Sequence, residues 1–209
     1  MKAPSKLSEG SPNHEVGDCS LCPTRRLCAA AELEEDALPL MAACMRTSAP
    51  MVKGEHLYWE GDTAERCYIV RSGVYKSTTV RSCGDEYITG FYFPGELLGF
   101  NGQLGGQYLD SAIAVETSTV CRLLICDLPT LWSIGCGPSL LRMLAEQQEY
   151  AARRQINLSQ SKADARVAGF LLETSRHMII LKRDSTLIPT PMTRTDLANY
   201  LGITLECLS

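Results

Sequence analysis

The chain has 209 residues, 45% apolar and 21% charged, which suits a globular protein with a buried core and excludes a disordered or fibrous one. No apolar run approaches the roughly 18 residues of a membrane helix, and residues 1–18 lack the apolar core of a secretory signal, so the sequence predicts a cytoplasmic protein without a membrane partner. The net charge of −4 hides a split: residues 1–138 carry 11 Lys and Arg against 17 Asp and Glu, and residues 139–209 carry 9 against 7, so only the latter keep the local basic charge that phosphate contact needs.

Residues 1–18 are polar, interrupted by Pro4, Gly10, Pro12 and Gly17, and read as a disordered leader. Ten cysteines in a chain without an export signal point to metal ligation or redox chemistry rather than to disulfides. Three of them cluster as Cys19, Cys22 and Cys28. Cys19 and Cys22 are near enough along the chain to share a metal, and Cys28 follows after one short loop. A closed zinc or iron–sulfur site needs a fourth ligand, for which Cys121 is one candidate among several, and spacing alone leaves zinc and iron–sulfur as equal rivals. Cys44, Cys67, Cys83, Cys126, Cys136 and Cys207 are isolated and read as core residues or bystanders. Residues 19–50 thus form a cysteine loop followed by a helix expected over Ala29–Met45.

Across residues 51–138 short β-branched and aromatic runs alternate with turn chemistry, the pattern of an antiparallel roll. The turns are Glu60-Gly61-Asp62, Arg71-Ser72-Gly73, Cys83-Gly84-Asp85 and Phe93-Pro94-Gly95. The expected strands are Leu57–Trp59, Cys67–Val70, Val74–Val80, Tyr87–Tyr92, Ser111–Val115 and Thr119–Ile125. Gly137-Pro138 breaks the chain, and Ser139 is expected to cap a long helix over about 139–162. Leu141, Leu144, Gln148, Ala151, Gln155 and Leu158 recur at three- and four-residue steps, either a weak seam for a partner helix or a stripe that packs on the β domain.

Residues 163–209 begin with an amphipathic helix over 163–180. Thr193 and Asp196 then make a capping-box start, Gly202 a turn, and Thr204 a second cap. That is helix-turn-helix geometry, although any αα-hairpin has the same outline. The three histidines, His14, His56 and His177, are scattered and form no catalytic arrangement, so the chain is not expected to be an enzyme.

The chain resembles the fumarate and nitrate reduction branch of the cyclic-AMP-receptor-like transcription factors. The resemblance rests on Asp18-Cys-Ser-Leu-Cys-x5-Cys28, Arg71-Ser-Gly-x-x-Lys-Ser77, Gly84-Asp-Glu-x-Ile-Thr-Gly-Phe91, Gly95-Glu-Leu-x-Gly-Phe100 and Glu116-Thr-Ser-x-Val-Cys121. It continues in Met192-Thr-Arg-x-Asp-x-x-Asn-Tyr-Leu-Gly-x-Thr-x-Glu206. It implies an α+β fold: a double-stranded β-helix like a cyclic nucleotide-binding domain, a long dimerisation helix, and a partial winged-helix or helix-turn-helix domain. It implies a [4Fe–4S] cluster on Cys19, Cys22, Cys28 and Cys121, in place of zinc.

Oxygen-responsive transcription regulation is the implied function, with DNA and RNA polymerase as partners and a homodimer when the cluster is bound. Thr204, Glu206 and Ser209 fall on DNA-contacting positions. In the family the second helix continues beyond the position of Ser209 and a wing follows, so the chain is expected to be truncated there. The alternatives are a cluster-binding sensor or dimer partner that has lost DNA binding, and a structural zinc protein. No cyclic nucleotide is expected, because Leu109-Asp110-Ser111 places a carboxylate where nucleotide binders have Arg-Ser for the phosphate.

Overall fold

The computed structural model describes residues 18–82, 84–103, 105–180, 188 and 190–208, with the backbone alone at 177 and 180. The leader before Asp18, and with it His14, Cys83 and Ser209, lies outside the described residues, as does the side chain of His177.

Among the described residues eight strands form two four-stranded sheets. In chain order they are β1 (Met45–Thr47), β2 (His56–Tyr58), β3 (Arg66–Ser72), β4 (Tyr75–Val80), β5 (Glu86–Tyr92), β6 (Leu97–Leu98), β7 (Ser111–Ala114) and β8 (Thr119–Leu124). One sheet runs β1-β8-β3-β6, the other β2-β7-β4-β5, and every pair is antiparallel. The helices are α1 (Leu38–Cys44), α2 (Leu128–Ser133), α3 (Gly137–Leu158), α4 (Ala163–Ile180), α5 (Arg194–Leu201) and α6 (Leu205–Leu208).

Strand alternation sorts the side chains into three cores. Inside the roll lie Tyr58, Tyr68, Val70, Tyr75, Leu98, Tyr108, Ala114 and Val120. Tyr58 stacks on Tyr108 at 3.9 Å and on Tyr68 at 5.8 Å. The outer face of the first sheet sends Cys67, Ile69, Leu97 and Leu123 against α1, α2 and the start of α3. The outer face of the second sends Val74, Ile88 and Phe91 against Phe170 of α4 and Tyr200 and Leu201 of α5.

Several expectations need correction. The helix expected over Ala29–Met45 occupies only Leu38–Cys44, because Pro39 belongs in a first turn: it has no N–H to donate and would break the interior of a longer helix. Ala29 and Ala30 are buried in a turn and Leu33 in irregular chain instead. Met45, assigned to that helix, opens β1. Gly137 and Pro138 do not break the chain; they are the first residues of α3, with Pro138 in its first turn. Ser139 is therefore not its cap but a buried residue inside it. Helix α2 and the two-residue β6 went unanticipated. The α5 start is as read: Thr193 Oγ1 accepts from Asp196 N at 3.0 Å, and Asp196 Oδ2 accepts from Thr193 N at 3.2 Å. Gly202 ends α5 at φ +61°, a left-handed value that a side chain would oppose.

Candidate cysteine site and nucleic-acid interface

The cysteine loop is built locally. Asp18 Oδ1 accepts from Ser20 N at 2.9 Å, which bends the chain between Cys19 and its neighbours. Cys22 Sγ lies 3.2 Å from Thr24 Oγ1. A short 3-10 turn, Arg25–Leu27, then carries the chain to Cys28. The Cys28 thiol donates to Arg25 O at 3.3 Å and accepts from Ala30 N at 3.4 Å. Arg25 Nη2 donates to Leu33 O at 3.1 Å and closes the loop.

The roll positions that loop. Gly95 sits at φ +98°, and a Cβ there would lie 2.6 Å from Leu27 Cβ, so glycine lets the turn before β6 pack directly on the loop. Cys28, Ala29, Ala30 and Leu33 share one core with Leu97, Leu123, Leu140 and Met143, and Cys19 and Cys121 pack against it. Cys121 lies in β8 on the same outward face as Leu123, opposite Thr47 of β1.

Cys19, Cys28 and Cys121 therefore share one core, and Cys22, outside it, is near enough for its charge to act on them. Burial pushes the Cys28 thiol up to about 12, and charge on Cys22, Cys121 and Cys19 would push it further. Burial raises Cys121 to about 11, with Cys22 adding to it, and raises Cys19 by the same two causes. Every cysteine among the described residues is a free thiol. Among the described residues, no three donors are arranged to hold a single metal ion.

Two more thiols stand beside this set, which residue spacing could not reveal. Cys136, at the N-cap of α3, is fully buried with Sγ 3.9 Å from Met41 Sδ. Burial raises it to about 11, and charge on Cys44 and Cys19 would add to that. Cys67 is core, as expected; Cys126 and Cys207 are exposed.

Inside the roll Asp110 is buried. Tyr58 Oη donates to its Oδ1 at 3.1 Å and Asn101 Nδ2 to its Oδ2 at 3.0 Å. Desolvation outweighs those bonds and raises the carboxyl above its ordinary range.

At the far end Thr204 Oγ1 accepts from Cys207 N at 3.4 Å and caps α6. Thr204 and Glu206 are both exposed, while Ser209 lies outside the described residues. The α3 stripe is divided between its two readings. Leu141, Gln148, Ala151 and Gln155 are exposed, whereas Leu144 packs against the cysteine-side core and Leu158 is half-buried; Leu140, Met143, Tyr150 and Arg154, outside the stripe, face the roll and its neighbours. A groove of about 480 Å³ opens beside them, between Tyr92, Phe100 and Asn101 of the roll and Gln148 and Gln155 of α3.

Comparison with known proteins agrees with this layout. The cyclic nucleotide-binding domain family matches residues 50–125. FixK2 of Bradyrhizobium japonicum has a similar solved structure, at TM-score 0.66 and 29% identity over 77% of this chain and 79% of its own. A CRP-family transcriptional regulator of Thermus thermophilus shares the fold at TM-score 0.60 and 18% identity, over 77% of this chain and 80% of that one. The transcriptional activator protein Anr of Pseudomonas protegens is 31% identical over 216 aligned residues, covering 100% of this chain and 85% of Anr. The fumarate and nitrate reduction regulatory protein of Escherichia coli is 33% identical over 195 residues, 91% of this chain and 77% of the relative. The chain belongs to the family of fumarate and nitrate reduction regulators. As a member of that family it is a transcription regulator, and among its described residues no helix is long and apolar enough to cross a membrane.

Proposed function

We propose that this regulator holds a [4Fe–4S] cluster on Cys19, Cys22, Cys28 and Cys121, and that the state of this site governs pairing of α3 and binding of DNA through α5–α6. The observation that carries the reading is that Cys19, Cys28 and Cys121 share a single core against the first half of α3, with Cys22 near enough for its charge to act on all three. The donor set fits. Thiolates are the ligands of such clusters, and Cys19, Cys22, Cys28 and Cys121 would supply four. The group would supply oxygen-sensitive redox chemistry; the chain supplies its mounting.

Ala30 N–H is placed to donate to Cys28 sulfur, a bond that stabilises a thiolate. The buried thiols are held protonated until a cation offsets their burial. The loop reaches α3 through Leu33 against Leu140 and Met143, and through Arg142 Nε, 3.9 Å from Glu32 Oε1. Release of the loop would therefore disturb the helix that carries the seam. Two copies would pair through Leu141, Gln148, Ala151 and Gln155. Thr204, Glu206 and Ser209 would face DNA, with RNA polymerase recruited nearby, and the reducing cytoplasm is the compartment that keeps these thiols free.

Protein purified without oxygen should be brown, with about four iron and four sulfide per chain, and air should bleach it. Cys28→Ser and Cys121→Ser should abolish the colour, whereas Cys126→Ser should leave it. Zinc in place of iron in iron-replete anaerobic preparations would overturn the reading in favour of a structural zinc site.

A further inference from the structure

Among the described residues β5 is the last strand of its sheet, so no described strand pairs the backbone groups of its outer edge. Side chains from two helices fill that role. Asn199 of α5 accepts from Ile88 N at 2.9 Å through Oδ1 and donates to Glu86 O at 2.8 Å through Nδ2, as a neighbouring strand would. Arg154 of α3 donates to Thr89 O at 2.8 Å, to Ile88 O at 3.0 Å and to Tyr200 O at 3.4 Å, and its guanidinium lies 4.3 Å over the Tyr200 ring. One strand inward, Lys76 of β4 pairs with Asp196 at 2.7 Å, both side chains less than a fifth exposed. Tyr150 and Tyr200 join hydroxyls at 2.9 Å.

These contacts use residues from motifs that a cysteine site leaves unexplained: Lys76, Glu86 and Ile88 in the roll, and Asp196, Asn199 and Tyr200 in α5. We propose that Lys76, Arg154 and Asn199 are positioning residues that lock α5–α6 onto the outer edge of β5, so that the orientation of the DNA-reading helix is set jointly by the roll and by α3. This rests on the DNA-binding reading above and deepens it. The lock leaves Thr204 and Glu206 exposed, so it presents the reading surface rather than covering it. Arg154 is one residue from Gln155 and three from Ala151 of the seam. Pairing of α3 would therefore be felt at the lock. The Asp196 carboxyl is consistent with a formed pair: burial would raise it, but the bonds from Lys76 and Thr193 hold it below its ordinary value.

The first test needs no DNA. Amide hydrogen exchange would be compared in wild type, Asn199→Ala, Lys76→Met and Lys76→Arg. Losing the charge-assisted Lys76 bond, or the two Asn199 bonds to β5, should speed exchange in α5–α6 and along β5 about tenfold. β3 and β8 should be unchanged, and Lys76→Arg should retain protection. Unchanged exchange in α5–α6, or an equal rise throughout the protein, would overturn the lock. The second test uses a duplex selected from a random library by the wild-type protein. Arg154→Lys and Asn199→Ala should lose about tenfold in selected over scrambled binding, with binding to scrambled DNA unaltered. Equal loss on both duplexes, or no loss, would overturn the positioning role. A wild type that selects no duplex would instead refute DNA reading, and the exchange experiment would still decide the lock.

Discussion

The two outer faces of the roll are covered in opposite ways. On the cysteine face, Ile69, Leu97 and Leu123 meet Leu33, Met41, Leu131, Leu140 and Met143, and the polar contacts, the Cys28 thiol to the backbone and Arg25 to Leu33 O, lie within the loop itself. On the reading face an aromatic trio, Phe91, Phe170 and Tyr200, is framed by short directional bonds from Lys76, Arg154 and Asn199. Apolar contact is non-directional, so it tolerates a loop that tightens or loosens with what its thiols hold. Hydrogen bonds weaken steeply with angle, so they transmit orientation. One face is suited to sensing a ligand and the other to conveying a position.

The largest expected effect breaks the reading face. Phe91 is 2% exposed, with its ring 4.9 Å from Tyr200 and 6.4 Å from Phe170. Phe91→Ala should cost about 3–5 kcal/mol in urea unfolding, since it leaves a cavity and removes two ring contacts. The cysteine face should be spared, so iron content of the surviving folded protein should match wild type. Iron lost in proportion to stability would mean that the faces are not independent.

Gly95→Ala attacks the other face. Its φ of +98° opposes any side chain, and the new methyl would press on Leu27 Cβ and the Leu27 carbonyl, neither the far end of a flexible side chain. Strain and displacement together should cost about 2–3 kcal/mol. The loop should lift from the roll, thiol alkylation of Cys28 should accelerate, and exchange in α5–α6 should stay at the wild-type rate. Slow alkylation in this variant would show that the loop is held by contacts other than that turn.

The difference between the faces also explains what could be read from residues alone. Strands β3, β4, β5 and β8 and the turns between them were legible, because period-two alternation and Gly-bearing turns are local signals. The capping box at Thr193 and the αL residue at Gly202 were legible for the same reason. Helix α1 was overextended because Ala29, Ala30 and Leu33 look helical until Pro39 is weighed, and β6 is too short to carry a period. The meeting of Cys28 with Cys121 depends on β8 lying between β1 and β3, a pairing between distant segments that spacing does not encode; only family resemblance supplied it. The neighbouring thiols Cys44 and Cys136 and the bonds of Asn199 to β5 were invisible on the same ground.

The smallest effect concerns α3, which touches both faces: Leu140 and Met143 belong to the cysteine core, while Tyr150 and Arg154 serve the reading side. Its exposed stripe is polar at the middle, with Gln148 and Gln155 in positions where a tight coiled coil would place apolar residues. Replacing either with Leu should strengthen pairing by about 1–2 kcal/mol per buried side chain, a factor of roughly 5–30 in the association constant. Leu141, 56% exposed, should do the reverse when changed to Gln. Sedimentation in the presence and absence of oxygen reads both. With the Leu substitutions the dimer should persist after air has bleached the protein, because the added burial no longer needs support from the cysteine face. A sedimentation coefficient indifferent to all three substitutions would remove the seam from the pathway between the two faces, leaving the bonds of Tyr150 and Arg154 to carry it.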